Sequence, residues 1–179
     1  MFKNIKIISY SCIPLVTVWL AFIILSILAP FFEAHYLIPQ SNFCYVFLGR
    51  FCSQTPTHCI WVFGSNMGLD CRCFFIYIFL FLTGCSFIVR NSKILYVKIS
   101  IALLIPVVLD GVTQYLHYRS STNALRMITG ALCGVGLGML IYPTYARAVE
   151  FILSSFLKIT RGGDLTDLKI TQKLIRNER

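Results

Sequence analysis

The sequence predicts an all-α protein, a four-helix transmembrane bundle with a partly structured outer loop. Of its 179 residues, 57% are hydrophobic and only 13% are charged, and the mean hydropathy is +0.75. A soluble domain of this size carries about 25% charged and about 45–50% apolar residues. The chain is therefore too apolar for a water-soluble fold. A disordered or nucleic-acid-binding protein is excluded as well, although the net charge is +9.

Four apolar runs have the length of a membrane-spanning helix, which needs about 20 residues to cross the hydrocarbon core. They cover about residues 7–32, 73–89, 99–118 and 127–146. The first run has 26 residues, whereas the apolar part of a secretory signal has about 7–15. We therefore expect a retained helix there. The second run is short at 17 residues, and Asp110 interrupts the third.

The basic residues are divided unevenly between the two sides that these spans define. Twelve Lys and Arg residues fall on the side of the termini, against four on the other side. Because basic loops are retained in the cytoplasm, we expect a protein of the cell (inner) membrane with both termini cytoplasmic. One integral membrane domain, 1–161, is then followed by a basic cytoplasmic tail, 162–179. That tail is either a short amphipathic helix on the inner surface or solvated.

The predicted outer loop, residues 33–72, is too long to lack structure in a compact protein. We expect short helices at residues 43–49 and 60–63. Five of the eight cysteines and all three histidines lie in this loop or on the same side of the membrane. Such cysteines can be disulfides, metal ligands or simply buried thiols, and the sequence leaves these alternatives open.

A second polar group lies where the third span turns into the fourth. Asp110, Gln114 and His117 follow helical spacing, and this stripe must face the bundle because an ionisable residue at the centre of a span costs about 2.5–3.5 kcal/mol. The start of the fourth span and its arginines suit an anion such as phosphate. The candidate catalytic residues are Asp110 and Arg126, and the candidate ligand-binding residues are Thr113, Gln114, Arg119, Ser121, Thr122 and Asn123.

A structural explanation of the same residues is also open. Asp110 can neutralise Arg126 or Arg119 in an ion pair, and residues 121–123 can act only as a helix cap. The number of polar groups on two facing helical surfaces nevertheless exceeds what structure alone requires. This excess favours a site.

Residues 110–134 resemble domain of unknown function 2085, a family of small prokaryotic integral membrane proteins. Asp110-Gly-x-Thr-Gln followed by Arg119-x-Ser-Thr-Asn-x-x-Arg-x-x-Thr-Gly130 fits the family pattern in order and spacing. An earlier family motif, Cys-His-Gln-x-Pro-x-Arg-Ser with Cys-x-Arg-Cys-Thr-Gly-Ile-Tyr, is degenerate here. It matches at Cys52, Gln54, Pro56, Arg72, Cys73, Ile76 and Tyr77.

The resemblance implies a metal site but no activity. In the family, Cys-His together with Cys-x-x-Cys is similar to a four-ligand metal set. In this chain Ser53 and Asp70 stand at two of those four positions, so either Asp70 and His58 replace the lost ligands or the metal function has decayed. The candidate metal ligands are Cys52, His58, Asp70 and Cys73, and the candidate cofactor is a divalent metal such as zinc.

Together these patterns predict a multi-pass membrane protein with an outward-facing polar site, built from an Asp/Gln stripe and two arginines. The alternatives are a transporter, a membrane-complex assembly subunit, a metal-dependent enzyme on a lipid-linked or anionic substrate, and a purely structural protein. Whether the chain is an enzyme stays open, because it has no nucleophile elbow, phosphate-binding glycine loop or His-Glu-x-x-His helix that would name a reaction. The expected partners are the lipid bilayer, an anionic small molecule or lipid headgroup, and a second copy of the chain.

Overall fold

The computed structural model describes residues 10–90, 96–116 and 121–177, with side chains described as far as residue 156. Within these ranges the chain forms five α-helices and one two-stranded antiparallel hairpin. In chain order they are α1 (Ile13–Ala34), α2 (Ile38–Leu48), β1 (Cys59–Val62), β2 (Ser65–Asp70), α3 (Cys71–Arg90), α4 (Val97–Tyr115) and α5 (Asn123–Asn177). Of the five helices, α1, α3, α4 and α5 are long and apolar enough to cross a membrane, and α2 is not. The predicted four-helix architecture is confirmed.

The ends of α1, α3 and α4 differ from the predicted limits by about six residues or fewer, for local reasons. Helix α1 has Pro14 in its first turn, where a residue without an N–H leaves no donor unpaired. Helix α3 begins at Cys71, two residues earlier than predicted, because Asp70 caps it. Oδ1 of Asp70 accepts the backbone N–H of Cys73 at 2.7 Å. Arg72 therefore belongs to the first turn of a spanning helix.

Helix α5 continues well beyond the predicted end of the fourth span. Its backbone is helical as far as Asn177 and passes through Gly162 and Gly163. The division at residue 161 into a membrane domain and a basic tail stays a prediction.

Residues 35–70, called the cap below, join α1 to α3. Helix α2 confirms the first helix expected there, and it begins earlier than predicted, with Pro39 in its first turn. The prediction of a second helix at residues 60–63 is wrong, because this segment forms the end of β1 and the start of a turn. Phe63 and Gly64 have φ values of 54° and 84°, as a two-residue type I′ hairpin turn requires. A short apolar run cannot be assigned to helix or strand by periodicity alone.

The cap packs against α1 rather than extending away from the bundle. Ser41 donates from Oγ to the carbonyl oxygen of Ala29 at 3.0 Å. A Cβ atom added at Gly68 of β2 would lie 2.6 Å from Leu48 and 3.3 Å from the backbone of Ser26. These contacts fix the end of β2, and hence the start of α3, relative to α1.

Helix α5 approaches α3 through glycines. A Cβ atom added at Gly130 would lie 2.5 Å from the backbone oxygen of Arg72, and one at Gly134 would lie 2.5 Å from that of Ile76. Both positions advance by four residues, so the two helices run parallel here. Small residues allow helix backbones to approach closely in membranes. The first turn of α3 therefore lies beside the second turn of α5.

Replacing Gly134 with alanine should lower the free energy of unfolding by about 1–3 kcal/mol, because the added methyl group overlaps the backbone of Ile76. The measurement is the thermal unfolding midpoint of the detergent-solubilised protein. The matched control is Gly111→Ala, since an added Cβ there has no heavy atom within 4 Å. Equal midpoints for the two variants would contradict this helix contact.

Candidate functional site

Asp110 lies near the C-terminal end of α4, with its side chain only 3% exposed. The guanidinium of Arg72 forms an ion pair with Oδ2. Gln114 donates from Nε2 to the same oxygen at 2.9 Å, and Ser121 donates from Oγ at 3.2 Å. Asp110 therefore faces the bundle, as a costly ionised group inside a span must.

Among the described residues, Asp110 pairs with Arg72. The sequence alone predicts Arg126 or Arg119 in this role. Arg126 instead donates from Nη2 to Oε1 of Gln114 at 2.8 Å, and Arg119 lies outside the described residues. Arg72 is 38 residues away in the chain, and no local spacing connects the two. Arg72 could have been identified from the sequence by its position in the Cys-x-Arg-Cys motif of the family described above.

Arg126 is buried close to this carboxylate without an ion pair of its own among the described residues. It is 5% exposed, and its one described side-chain partner is the neutral amide of Gln114. Its Nε atom is buried and has no hydrogen-bond partner in the described part of the chain. An uncompensated buried charge costs several kcal/mol. The Asp70 and Asp110 carboxylates lie within electrostatic range of Arg126, but among the described residues neither forms an ion pair with it.

The remaining candidate ligand-binding residues have local roles or fall outside this network. Thr113 donates from Oγ1 to the carbonyl oxygens of Leu109 and Asp110, at 2.9 and 3.1 Å. Thr122 caps α5, since its Oγ1 accepts the N–H of Leu125 at 3.4 Å. Asn123 is the first residue of α5. Of the candidates, the structure brings together Asp110, Gln114, Ser121 and Arg126.

Three of the four candidate metal ligands meet where the cap joins α3. The two Sγ atoms of Cys52 and Cys73 and a carboxylate oxygen of Asp70 all lie within 4.8 Å of one another. The backbone N–H of Asp70 also donates to Cys52 Sγ at 3.3 Å. His58 is not part of this group.

His58 is half-buried at the end of a short 3-10 turn, Pro56–His58. Burial lowers the pKa of its imidazole, and the positive charges of Arg126 and Arg72 lower this pKa further, while the Asp70 carboxylate opposes them. His58 thus lies within electrostatic range of both groups. The Cys52, Asp70 and Cys73 group and the Asp110 network belong to one polar region, joined by the first turn of α3.

The thiols of the cap have different acidities. Hydrogen bonding by Cys73 and by the backbone of Asp70 lowers the pKa of Cys52, although burial opposes this shift. Burial raises the pKa of Cys59 to about 12. All eight cysteines lie in the described ranges, and all are free thiols. The Cys52 thiol is thus more readily ionised than the Cys59 thiol.

Comparisons with known proteins agree with the resemblance read from the motifs. Residues 52–140 match the family described as predicted membrane protein (DUF2085). The chain is also 34% identical to an uncharacterized protein of Methanocaldococcus jannaschii over 152 residues, which cover 78% of this chain and 95% of that relative. The chain belongs to the DUF2085 family. An uncharacterized protein of Methanothermobacter thermautotrophicus is 46% identical over 44 residues, 25% of this chain and 40% of that relative.

The match places the polar region within the part shared by DUF2085 proteins. The matched segment begins at Cys52 and contains Asp70, Arg72, Asp110 and Arg126. No solved structure matches the chain. This DUF2085 chain is a membrane protein with four apolar helices.

Removing either member of the Arg72 and Asp110 pair should destabilise the protein by about 3–5 kcal/mol, because the remaining charge is left buried without its partner. Arg72→Gln and Asp110→Asn test this as single variants and together. The free energy of unfolding in detergent should fall less in the double variant than the two single losses added. Strict additivity would show that the pair is not coupled. Arg50→Gln, at an exposed position of the cap, should have little effect.

Proposed function

We propose that the chain is a multi-pass membrane protein that binds an anion at one end of its helix bundle. The proposed site, called the Asp110 site below, consists of Arg72, Asp110, Gln114, Ser121 and Arg126. The observation that carries this proposal is the buried Arg126 guanidinium. Among the residues that the structure describes, its Nε has no hydrogen-bond partner and its Nη2 donates to a neutral amide.

The charges around Arg126 favour an anion. Asp110 is already engaged by Arg72, so it neutralises one of the two guanidinium groups of the network. The first turn of α3 lies beside the second turn of α5 here, and the N-terminal end of each helix carries a partial positive charge. A phosphate or carboxylate group would match the planar donor geometry of an arginine.

The Asp110 carboxylate positions Arg126 indirectly, through the side chain of Gln114. Its amide donates to Oδ2 of Asp110 and accepts from Arg126. Asp110 therefore orients the amide that holds Arg126, and it keeps Arg72 in place on the opposite side. Removal of its charge should disturb both guanidinium groups. A transporter of anions and an enzyme acting on a lipid-linked phosphate would both begin with this binding step.

The proposed bound anion carries a phosphate group, either free or in a lipid headgroup. Inorganic phosphate and phosphatidylglycerol in mixed micelles are the two probes, and the unfolding midpoint is the readout. A ligand at 100 times its Kd stabilises the folded state by about 2.7 kcal/mol. We expect this stabilisation in the unmodified protein and in Arg50→Gln, and its loss in Arg126→Gln.

The two probes separate the sources of the phosphate group. Stabilisation by inorganic phosphate supports a soluble anion, and stabilisation by phosphatidylglycerol alone supports a headgroup. If neither probe stabilises the protein, or if Arg126→Gln responds as fully as the unmodified chain, the proposed function is wrong.

We further propose that the Asp110 site faces away from the cytoplasm in the cell membrane. The support is the excess of Lys and Arg on the side of both termini. A phosphatase that is active only outside the cytoplasm should be active when inserted after Gly64, in the hairpin turn, and inactive when fused after Arg179. A fluorescent protein that matures only in the cytoplasm should give the opposite result. Reversed activities at the two positions would overturn this orientation.

A further inference from the structure

We propose that Cys52, Asp70 and Cys73 bind one divalent metal ion of the zinc type and leave its fourth coordination position open. The proposal goes beyond anion binding at the Asp110 site and does not depend on it. It stands on the approach of three ligand atoms to within 4.8 Å of one another.

The donor set fits zinc in chemistry and in size. Two sulfurs and one carboxylate oxygen are ligands that zinc accepts in tetrahedral sites, with Zn–S bonds of about 2.3 Å and Zn–O bonds of about 2.0–2.2 Å. Those bond lengths place tetrahedral ligand atoms about 3.5–3.8 Å apart, so small side-chain adjustments would close the site. Magnesium and calcium, which prefer oxygen ligands alone, fit it poorly.

The backbone around the three residues supports their orientation as ligands. Oδ1 of Asp70 accepts the N–H of Cys73, and the N–H of Asp70 donates to Cys52 Sγ. Hydrogen bonds of this kind orient metal ligands and adjust their basicity. The ligands come from the end of the cap and the first turn of α3, both fixed by helix packing. A preformed site of this kind loses little order when the metal binds.

Within the described part of the chain, the group has three ligands and no fourth. Ser53, at the position of the family histidine, is exposed, and His58 is not part of the group. Three protein ligands with one open position are typical of metal sites that hold water or an external ligand. Binding releases the two thiol protons to solvent as two thiolates form, so the net charge of the three residues plus the metal equals that of the metal-free group.

The experiment uses the full chain in detergent, purified without a metal-affinity step. Zinc per chain is measured by elemental analysis after dialysis, and cobalt is substituted to detect thiolate coordination by its absorption. We expect one zinc per chain in the unmodified protein. Cys52→Ser and Asp70→Asn should bind zinc at least about tenfold more weakly. The Asp70→Asn variant is informative because asparagine also caps a helix.

The matched controls are Cys44→Ser and Cys59→Ser, buried cysteines of the same cap that lie outside the group. Both should keep one zinc per chain, and so should Arg126→Gln, which separates this proposal from anion binding. A measurement that needs no variant is thiol labelling with a maleimide. Added zinc should protect Cys52 and Cys73.

Two results would overturn the proposal. One is a Cys52–Cys73 disulfide, detected as a loss of two mass units with neither thiol labelled. The other is zinc content that is unchanged in Asp70→Asn while this variant keeps the unfolding midpoint of the unmodified protein.

Discussion

The buried carboxylate of Asp110 is the constraint on which the polar end of this bundle depends. An ionised group inside a membrane-spanning helix is tolerated only with partners, and the described partners come from α3, from α4 and from the residues just before α5. Arg72 is at the start of α3, Gln114 is on α4 itself, and Ser121 precedes α5. One carboxylate thus ties the ends of three helices together. The glycines that bring α5 against α3 make this geometry accessible.

The first turn of α3 connects the two proposed binding groups. Asp70 caps this turn and contributes to the Cys52, Asp70 and Cys73 group, while Arg72 directs its guanidinium to Asp110. Neighbouring residues of one helical turn therefore serve opposite sides of the polar region. No residue of α1 contacts the Asp110 site through a described hydrogen bond. The packing of the cap on α1 nevertheless affects this site, because Asp70 and Arg72 lie in the same turn. The cap fixes the place at which α3 begins.

The errors of prediction have particular physical causes. Residues 60–63 were ambiguous in periodicity, and the positive φ values at Phe63 and Gly64 decide for a hairpin. Arg72 was absent from the predicted site because it is separated from Asp110 by most of α3, the following connection and most of α4. Spacing within one helix could predict that Gln114 lies beside Asp110, since four residues make about one turn. No such rule relates Arg72 to Asp110.

The sequence by itself determined the number of spanning helices, the need for a polar partner at Asp110, and three residues that meet at the candidate metal group. Apolar length and helical spacing act within single segments, so they can be read without knowledge of packing. Tertiary structure decided that Arg72 pairs with Asp110, that Arg126 contacts Gln114, and that His58 lies outside the group with the two cysteines. Those choices depend on how closely separate helices approach, and this distance is set by glycine contacts and by the folded cap.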